Sequence, residues 1–407
     1  MRIARTISII LFLAFFSLSV GGGLFWANMN FVQHVSGGVE FVMPWKAIQN
    51  FMMSGDSPYA ESTRASIESL MYGHPAWSWQ NPYFVTLPLT MLLFFLPLGW
   101  ISDLVLARVI WLMVLEVGLA GMVFLSLRLA RWKPHWFFLI FLLLFSFFWM
   151  PSISMLYTGT SVILQALVFF GALRAIELES DELAGALAAL ALLNIEATGL
   201  VFLTLIIWIF STQRWRVLGG IAMTVAVLLG LSLLLSPSWI FPFLIVMLKN
   251  WQTTALPSTY RLLEGWLPGI GVKLSQILAV GALSIILIEW RAVRGQDVRW
   301  LFWTASLTAA LTPLLGIPYA PGWLAFTLPG VLLVVSVMIQ RWGVLGFASA
   351  LLFVTGLFLG LWSAQLNGTT SVFILFTPLL LTLMLYWVRW WMVRPPRMWA
   401  DEILLRG

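Results

Sequence analysis

Apolar segments of about the length that a membrane-crossing helix needs recur from Ile7 to Val388, and few folds are open to a chain built this way. A helix crosses the hydrocarbon core of a bilayer in about 20 residues. The first such run is Ile7–Trp26. The later ones are Leu104–Leu127, His135–Met150, Thr160–Ala175, Glu182–Leu193, Thr198–Phe210, Val217–Leu235, Gly271–Ile288, Leu301–Leu315, Gly322–Ile339, Val344–Trp362 and Ser371–Val388. Together they predict about twelve transmembrane helices, several of them short or tilted. Composition decides between a buried core and lipid: only 9% of the 407 residues are charged, against roughly 25% in soluble domains. So little charge cannot cover a soluble surface, and lipid must do so. The expected class is all-α, a polytopic integral membrane protein. The 24 Trp suit two lipid–water interfaces. Arg2 and Arg5 precede the first run, which reads as a retained span rather than a secretory leader. It is long for a leader, and Gly-Gly-Gly-Leu-Phe-Trp is a poor cleavage context.

Charge placement sets the expected topology. If Tyr83–Trp100 crosses, the basic turn with Arg128, Arg131 and Lys133 falls outside, against the positive-inside rule. If it only dips into the outer interface, that turn falls inside. Most of the other basic turns follow it there: Arg214/Arg216, Arg291/Arg294/Arg299, Arg341 and the tail. Pro82, Pro88 and Pro97 also loosen any helix in the run, so it is expected to be re-entrant or superficial. The region 182–210 must then be two short helices broken near Asn194–Gly199, where Asn194 and Glu196 favour a break. Both termini are expected to be cytoplasmic. The polar stretches that gather outside are the first loop (28–103), Pro151–Gly159, Asn194–Thr198, the second large loop (236–269), Ile317–Pro321 and Ala364–Thr370. Trp239–Trp251 within the second loop reads as an amphipathic helix lying on the membrane. One membrane domain is expected, with halves 1–216 and 217–407.

Several function classes are disfavoured. The net charge of +6 has no solvated basic face to serve, so nucleic acid is not an expected partner. Cys is absent and the three His lie apart, which leaves no thiolate or His-rich metal site. Acid pairs in the first loop are too sparse to assign a divalent metal, and no cofactor is assigned. No phosphate-binding glycine loop or dinucleotide fingerprint is present.

An ordered set of outer motifs points further. Gly38-Val39-Glu40-Phe41 opens the first loop, and Gly55-Asp56-Ser57-Pro58-Tyr59 follows. Then come Pro82-Tyr83, Leu156-Tyr157-Thr158-Gly159-Thr160, Leu183-Ala184-Gly185 and Gln213-Arg214-Trp215-Arg216. This order resembles glycosyltransferase family 87 of the GT-C membrane enzymes, the polyprenol-phosphate-mannose-dependent mannosyltransferases. The similarity covers roughly Ile7 to Arg216, and weakly Glu264–Gly269. The resemblance implies a GT-C fold, a polyprenyl-phosphate sugar donor, a glycan or lipid-linked acceptor, an acidic base in the first outer loop, and a bacterial-type plasma membrane. The chain has Glu40 where the family usually has Asp, Gly159-Thr160 where it has Gly-Gln or Gly-Asn, and Asn194-Ile195 where it has Lys-Pro.

Transfer of a hexose from a lipid phosphate needs a carboxylate to take the acceptor proton and donors to hold the leaving phosphate. Glu40 is the candidate base, with a solvated loop acid as its plain alternative. Arg108, Arg261 and Lys46 are candidate phosphate ligands. Arg108 is the lone cation at the start of its helix, where snorkelling to headgroups is the other reading. Lys46, like Arg64, has surface pairing as an alternative. Glu196, Asn194, Tyr157, Thr160 and Tyr59 complete the candidate substrate site, although the tyrosines also suit an aromatic belt. Glu116, in mid-helix, is expected to face a structural partner. Two other functions stay open. One is a non-enzymatic carrier, against which the lack of matching halves counts; the other is a degenerate family member that scaffolds envelope assembly.

Overall fold

The computed structural model describes residues 2–393 except 78, 193–194, 254–257, 318 and 367–372; the side chains of residues 2–17, 196, 364, 373, 374 and 393 also lie outside the description. Among the described residues all regular structure is helical. The chain begins with α1 (Arg2–His34), α2 (Val39–Ser54) and α3 (Glu61–Tyr72). Two short helices follow, α4 (Leu89–Leu92) and α5 (Leu96–Gly99), and then α6 (Leu104–Leu129). Next are α7 (Trp136–Phe148), α8 (Met150–Thr158), α9 (Val162–Glu177), α10 (Asp181–Ala191), α11 (Ile195–Thr212) and α12 (Trp215–Leu235). The remainder is α13 (Ile240–Thr253), α14 (Thr259–Trp266), α15 (Gly271–Ala292), α16 (Val298–Leu311), α17 (Leu328–Leu366) and α18 (Phe373–Val393).

By length and composition, five of the described segments can cross a membrane: Leu104–Leu129, Trp215–Leu235, Gly271–Ala292, Pro321–Ser363 and Leu375–Met392. A sixth is added if α7 and α8, bent by 52° at Trp149, form one broken span. Pro151 explains the bend, because it has no N–H to continue the α7 ladder. Apolar side chains are left exposed on these helices. On α12, Met223 and Val227 are exposed and Leu234 is 82% exposed, a surface that lipid covers and water does not. These helices fit an integral membrane protein. Leu89–Gly99 is a short apolar segment, below the roughly 20 residues of a span, as its prolines suggested. The expected break near Asn194 separates α10 from α11, and Asn194 itself lies outside the described residues.

The chain divides into two compact units. The first comprises Met1–Val117, Leu156–Thr160 and Trp239–Leu248. Its core is organised by α2. Phe41, Trp45 and Ile48 recur at helical spacing and are buried. Phe41 stacks on Trp111 of α6 (5.7 Å) and lies 6.3 Å from Phe95, and Trp45 Nε1 donates to Leu98 O (3.0 Å). Asp103 starts α6 by accepting from the backbone N–H of Val105 and Leu106.

The second unit comprises Gly118–Met155, Ser161–Ser238 and Lys249–Gly407. Its most buried element is α16, where every residue from Trp300 to Leu311 is buried. Some polar groups buried there find internal partners, which a lipid environment favours, while Trp300 Nε1, Thr304 Oγ1 and Ser306 Oγ have none. Trp290 Nε1 donates to Thr204 Oγ1 (2.7 Å), and Thr204 Oγ1 to Thr308 Oγ1 (3.2 Å). Between α15 and α18, buried Glu289 accepts from Tyr386 (3.0 Å) and Arg389 (3.0 Å). Tyr319 is buried and donates to Trp323 O (3.0 Å). α10 and α12 meet through glycines. A Cβ on Gly185 would lie 2.1 Å from Val217 O, and one on Gly220 would lie 2.5 Å from Glu182 O. Small residues let backbones approach this closely, and in lipid such packing is a main source of helix association. Gly185→Val is therefore expected to lower the melting temperature of the purified protein by several degrees, through an overpacking cost of about 1–3 kcal/mol. Gly219→Val is the control, since a Cβ there meets nothing within 4 Å. Identical melting of the two variants would contradict the close α10–α12 approach.

Candidate functional site

The site lies in the first unit, where the turn after α1 meets α6 and the segment Leu156–Thr160. α1 ends at His34, so its last carbonyls have no partner within the helix. Arg108, in the second turn of α6, donates from Nη1 to Val35 O (2.9 Å). A cation is favoured at a helix C-terminus, which explains why this arginine turns inward. The Phe31 ring stands 5.8 Å from its guanidinium carbon.

The turn comes close because it carries glycine. Gly38 has φ 80°, and a Cβ there would sit 2.8 Å from Arg108 Nε. A larger residue would be strained in backbone and side chain alike. Gly38 N donates to Tyr157 O (2.8 Å), which ties the turn to Leu156–Thr160. Gly159 also has positive φ, 76°, and a Cβ there would lie 2.8 Å from Phe41 Cβ. Its carbonyl accepts from Trp111 Nε1 (2.7 Å). The turn, the first residues of α2, α6 and the 156–160 segment therefore hold one another in register.

Arg108 is only 5% exposed, and its Nε and Nη2 are buried without a hydrogen-bond partner. One charge-assisted bond is worth about 1.5–3 kcal/mol, and a cation–π contact roughly 0.5–2 kcal/mol. Burying an ion costs several kcal/mol even after relaxation. The contacts that Arg108 makes thus offset its burial at best in part. Two unused N–H donors on a planar, permanently charged fork match a phosphate or carboxylate.

The other sequence candidates separate clearly. Glu40 stands in the first turn of α2, half-buried, two residues beyond Gly38. Its carboxylate is favourably placed at that helix N-terminus. Tyr157 is partly exposed, and Thr160 is buried directly after Gly159. Glu40, Arg108, Tyr157 and Thr160 thus share one junction. Lys46 points along its own helix, where Nζ donates to Gln49 Oε1 (2.8 Å). Tyr59 is buried, donates to Leu87 O (2.9 Å) and packs on Trp239 and Phe243. Burial pushes its phenol pKa well above the usual value, and its proton is already used. Arg64 pairs with Glu61 and with Glu68 (3.7 Å). Glu116 accepts from Asn28 Nδ2 (2.8 Å), the structural partner expected for it. In the second unit, Arg261 lies exposed on α14, its backbone N–H capped by Ser258 Oγ. Glu196 belongs to α11 but its side chain lies outside the description, as does Asn194 altogether.

Trp111 and Phe41, which seat Gly159 and the start of α2, were not singled out from sequence. Within an apolar helix, one Trp carries no signal that its indole N–H reaches a distant loop. Comparison with protein-family models, with curated proteins and with solved structures found no match to this chain.

Gly159→Ala is expected to destabilise the unit more than Gly55→Ala. Both have positive φ, 76° and 71°, but a Cβ at Gly55 meets nothing within 4 Å. The shared backbone strain is about 1 kcal/mol, and the contact with Phe41 adds roughly 1–3 kcal/mol. Chemical denaturation or melting of the purified variants measures the difference. Equal losses would show that the Gly159–Phe41 contact is not tight.

Proposed function

We propose that this chain is a membrane glycosyltransferase of GT-C type. In this reading it transfers a hexose, mannose being the first candidate, from a polyprenyl phosphate to a glycan or lipid-linked acceptor on the non-cytoplasmic face. The observation that supports it most is the buried Arg108 with two unused N–H groups, set beside the glycine turn that leads into Glu40. Two of the six motifs of the family resemblance meet at the same junction, Gly38 to Phe41 and Tyr157 to Thr160. Sidedness and an approximately twelve-helix topology belong to this reading too. Short helices such as α10 and α11 would complete crossings in pairs or at a tilt.

The reaction needs little from the protein. The acceptor hydroxyl oxygen attacks the anomeric carbon while the carbon–oxygen bond to the phosphate breaks. The bonding pair leaves on the phosphate, and the configuration inverts. Glu40 takes the hydroxyl proton as general base. Arg108 stabilises the charge that grows on the leaving phosphate, through donors already aimed and already stripped of water. Tyr157, partly exposed beside Gly37, offers a ring for the sugar.

A second reading keeps the lipid-phosphate site without transfer. It is favoured by Asn194-Ile195 standing where the resembled family carries Lys-Pro. One assay separates the two. Purified protein supplied with labelled polyprenyl-phosphate mannose and an envelope extract as acceptor is expected to transfer label. Glu40→Gln is expected to reduce transfer by 10²-fold or more, the scale of general base catalysis. Full activity in Glu40→Gln would remove Glu40 from the chemistry. Lipid binding without transfer in the wild type would favour the second reading.

A further inference from the structure

A second feature lies in the other unit and owes nothing to the site above. α17 is interrupted at Gly343 (φ 52°, ψ −118°). Beside the break, α17 and α7 leave a cavity of ≈ 230 Å³ lined by Phe137, Phe138, Phe141, Val335, Phe347 and Ala350, with Leu351 and Val354 completing it. Every lining side chain is apolar, and the volume exceeds the about 150 Å³ of a dry apolar cavity that admits a benzene ring.

Basic residues lie close in the chain to two of the rings that pack on the cavity wall. Phe138 bridges the cavity to both basic turns. Its ring lies 4.9 Å from Phe347, six residues after Arg341, and 6.2 Å from Trp132, which follows Arg131. Trp342 packs on Trp387 (5.2 Å) and Trp391 (4.8 Å) of α18. On that same helix Met392 Sδ receives Arg299 Nη2 (3.8 Å), while Arg299 Nε is buried with no partner. Arg131 and Arg341 each lie within electrostatic reach of Arg299, as do the carboxylates of Asp297 and Glu177. Glu177 is already shared by Arg131 (2.9 Å) and Arg174 (2.6 Å). Positive charge therefore exceeds negative charge around Arg299, and this cluster reaches the apolar slot through Arg131, Trp132 and Phe138.

We propose that this notch binds an anionic glycerophospholipid, with one acyl chain in the slot beside Gly343 and the phosphodiester against Arg131, Arg299 and Arg341. A basic side chain near the bilayer surface contributes about fivefold towards an anionic lipid. The phosphate also supplies the acceptor that Arg299 lacks. Charge complementarity and an all-apolar lining argue for a lipid over a peptide or a soluble anion.

The test is lipid retention by the full-length protein in native mass spectrometry. The protein is purified from mixed vesicles of phosphatidylglycerol and phosphatidylcholine. Retention of phosphatidylglycerol at least about fivefold above phosphatidylcholine is expected. The Arg299→Gln/Arg341→Gln double variant should lower that preference at least about fivefold, the step that one arginine is worth, and an unchanged preference would overturn the proposal. Ala350→Trp, which fills the slot and keeps the arginines, should also lose the bound lipid. Equal retention of the two lipids by the wild type would overturn the proposal, whatever the variants do. So would retention unchanged in Ala350→Trp, or displacement of the lipid by millimolar inorganic phosphate, since either result makes the slot irrelevant.

Discussion

A guanidinium held inside a membrane helix must be partnered, and at Arg108 the protein supplies only part of what is needed. One N–H serves the open carbonyl end of α1 and the Phe31 ring covers one side, while Nε and Nη2 face protein with nothing to accept from them. Everything near the arginine follows from its position. The turn after α1 can pass beside it only on glycine; the turn is tied to Tyr157; and Gly159 is pinned by Trp111 and Phe41. Glu40 enters the same neighbourhood because α2 begins immediately after the turn.

The second unit shows the ordinary solution to the same problem. Glu289 is buried, but Tyr386 and Arg389 both donate to it, and the indoles of Trp300 and Trp303 flank Arg389. Trp290, Thr204 and Thr308 form a chain of hydroxyl and indole contacts. Where helices need only to touch, as α10 and α12 do, glycine suffices. Arg108 keeps two buried nitrogens without a hydrogen-bond partner, while Arg299 and Arg389 each keep one, Nε.

Much of the helical plan was legible from residues. Pro82, Pro88 and Pro97 indicated that Tyr83–Trp100 does not form one long helix, and it forms two short ones. The polar Asn194–Glu196 step marked the division between α10 and α11. The expected gap between Ile339 and Val344 is present as the break at Gly343, though the helix continues on both sides of it. Glu116 found the structural partner expected of it, because a lone carboxylate in an apolar run has few alternatives. Long-range pairing was not legible. Nothing in the sequence tells that Trp111 reaches Gly159, that Tyr59 spends its proton on Leu87 O, or that Glu289 joins Tyr386 about a hundred residues away. Lys46 looked like a phosphate ligand because it is a cation near Glu40. Its bond to Gln49 depends on a rotamer that spacing cannot reveal.

The most direct measurement concerns Arg108 and requires no catalysis. The wild type and Arg108→Met are placed in nanodiscs, and their melting temperatures are followed as a polyprenyl monophosphate without sugar is added. A ligand that binds only the folded state stabilises it by about 2.7 kcal/mol at a hundred times its dissociation constant. If Arg108 awaits an anion, the wild type melts progressively higher as the lipid phosphate is added and Arg108→Met does not. Equal shifts in both proteins, or none in either, would contradict that account and leave Arg108 as no more than a cap on α1.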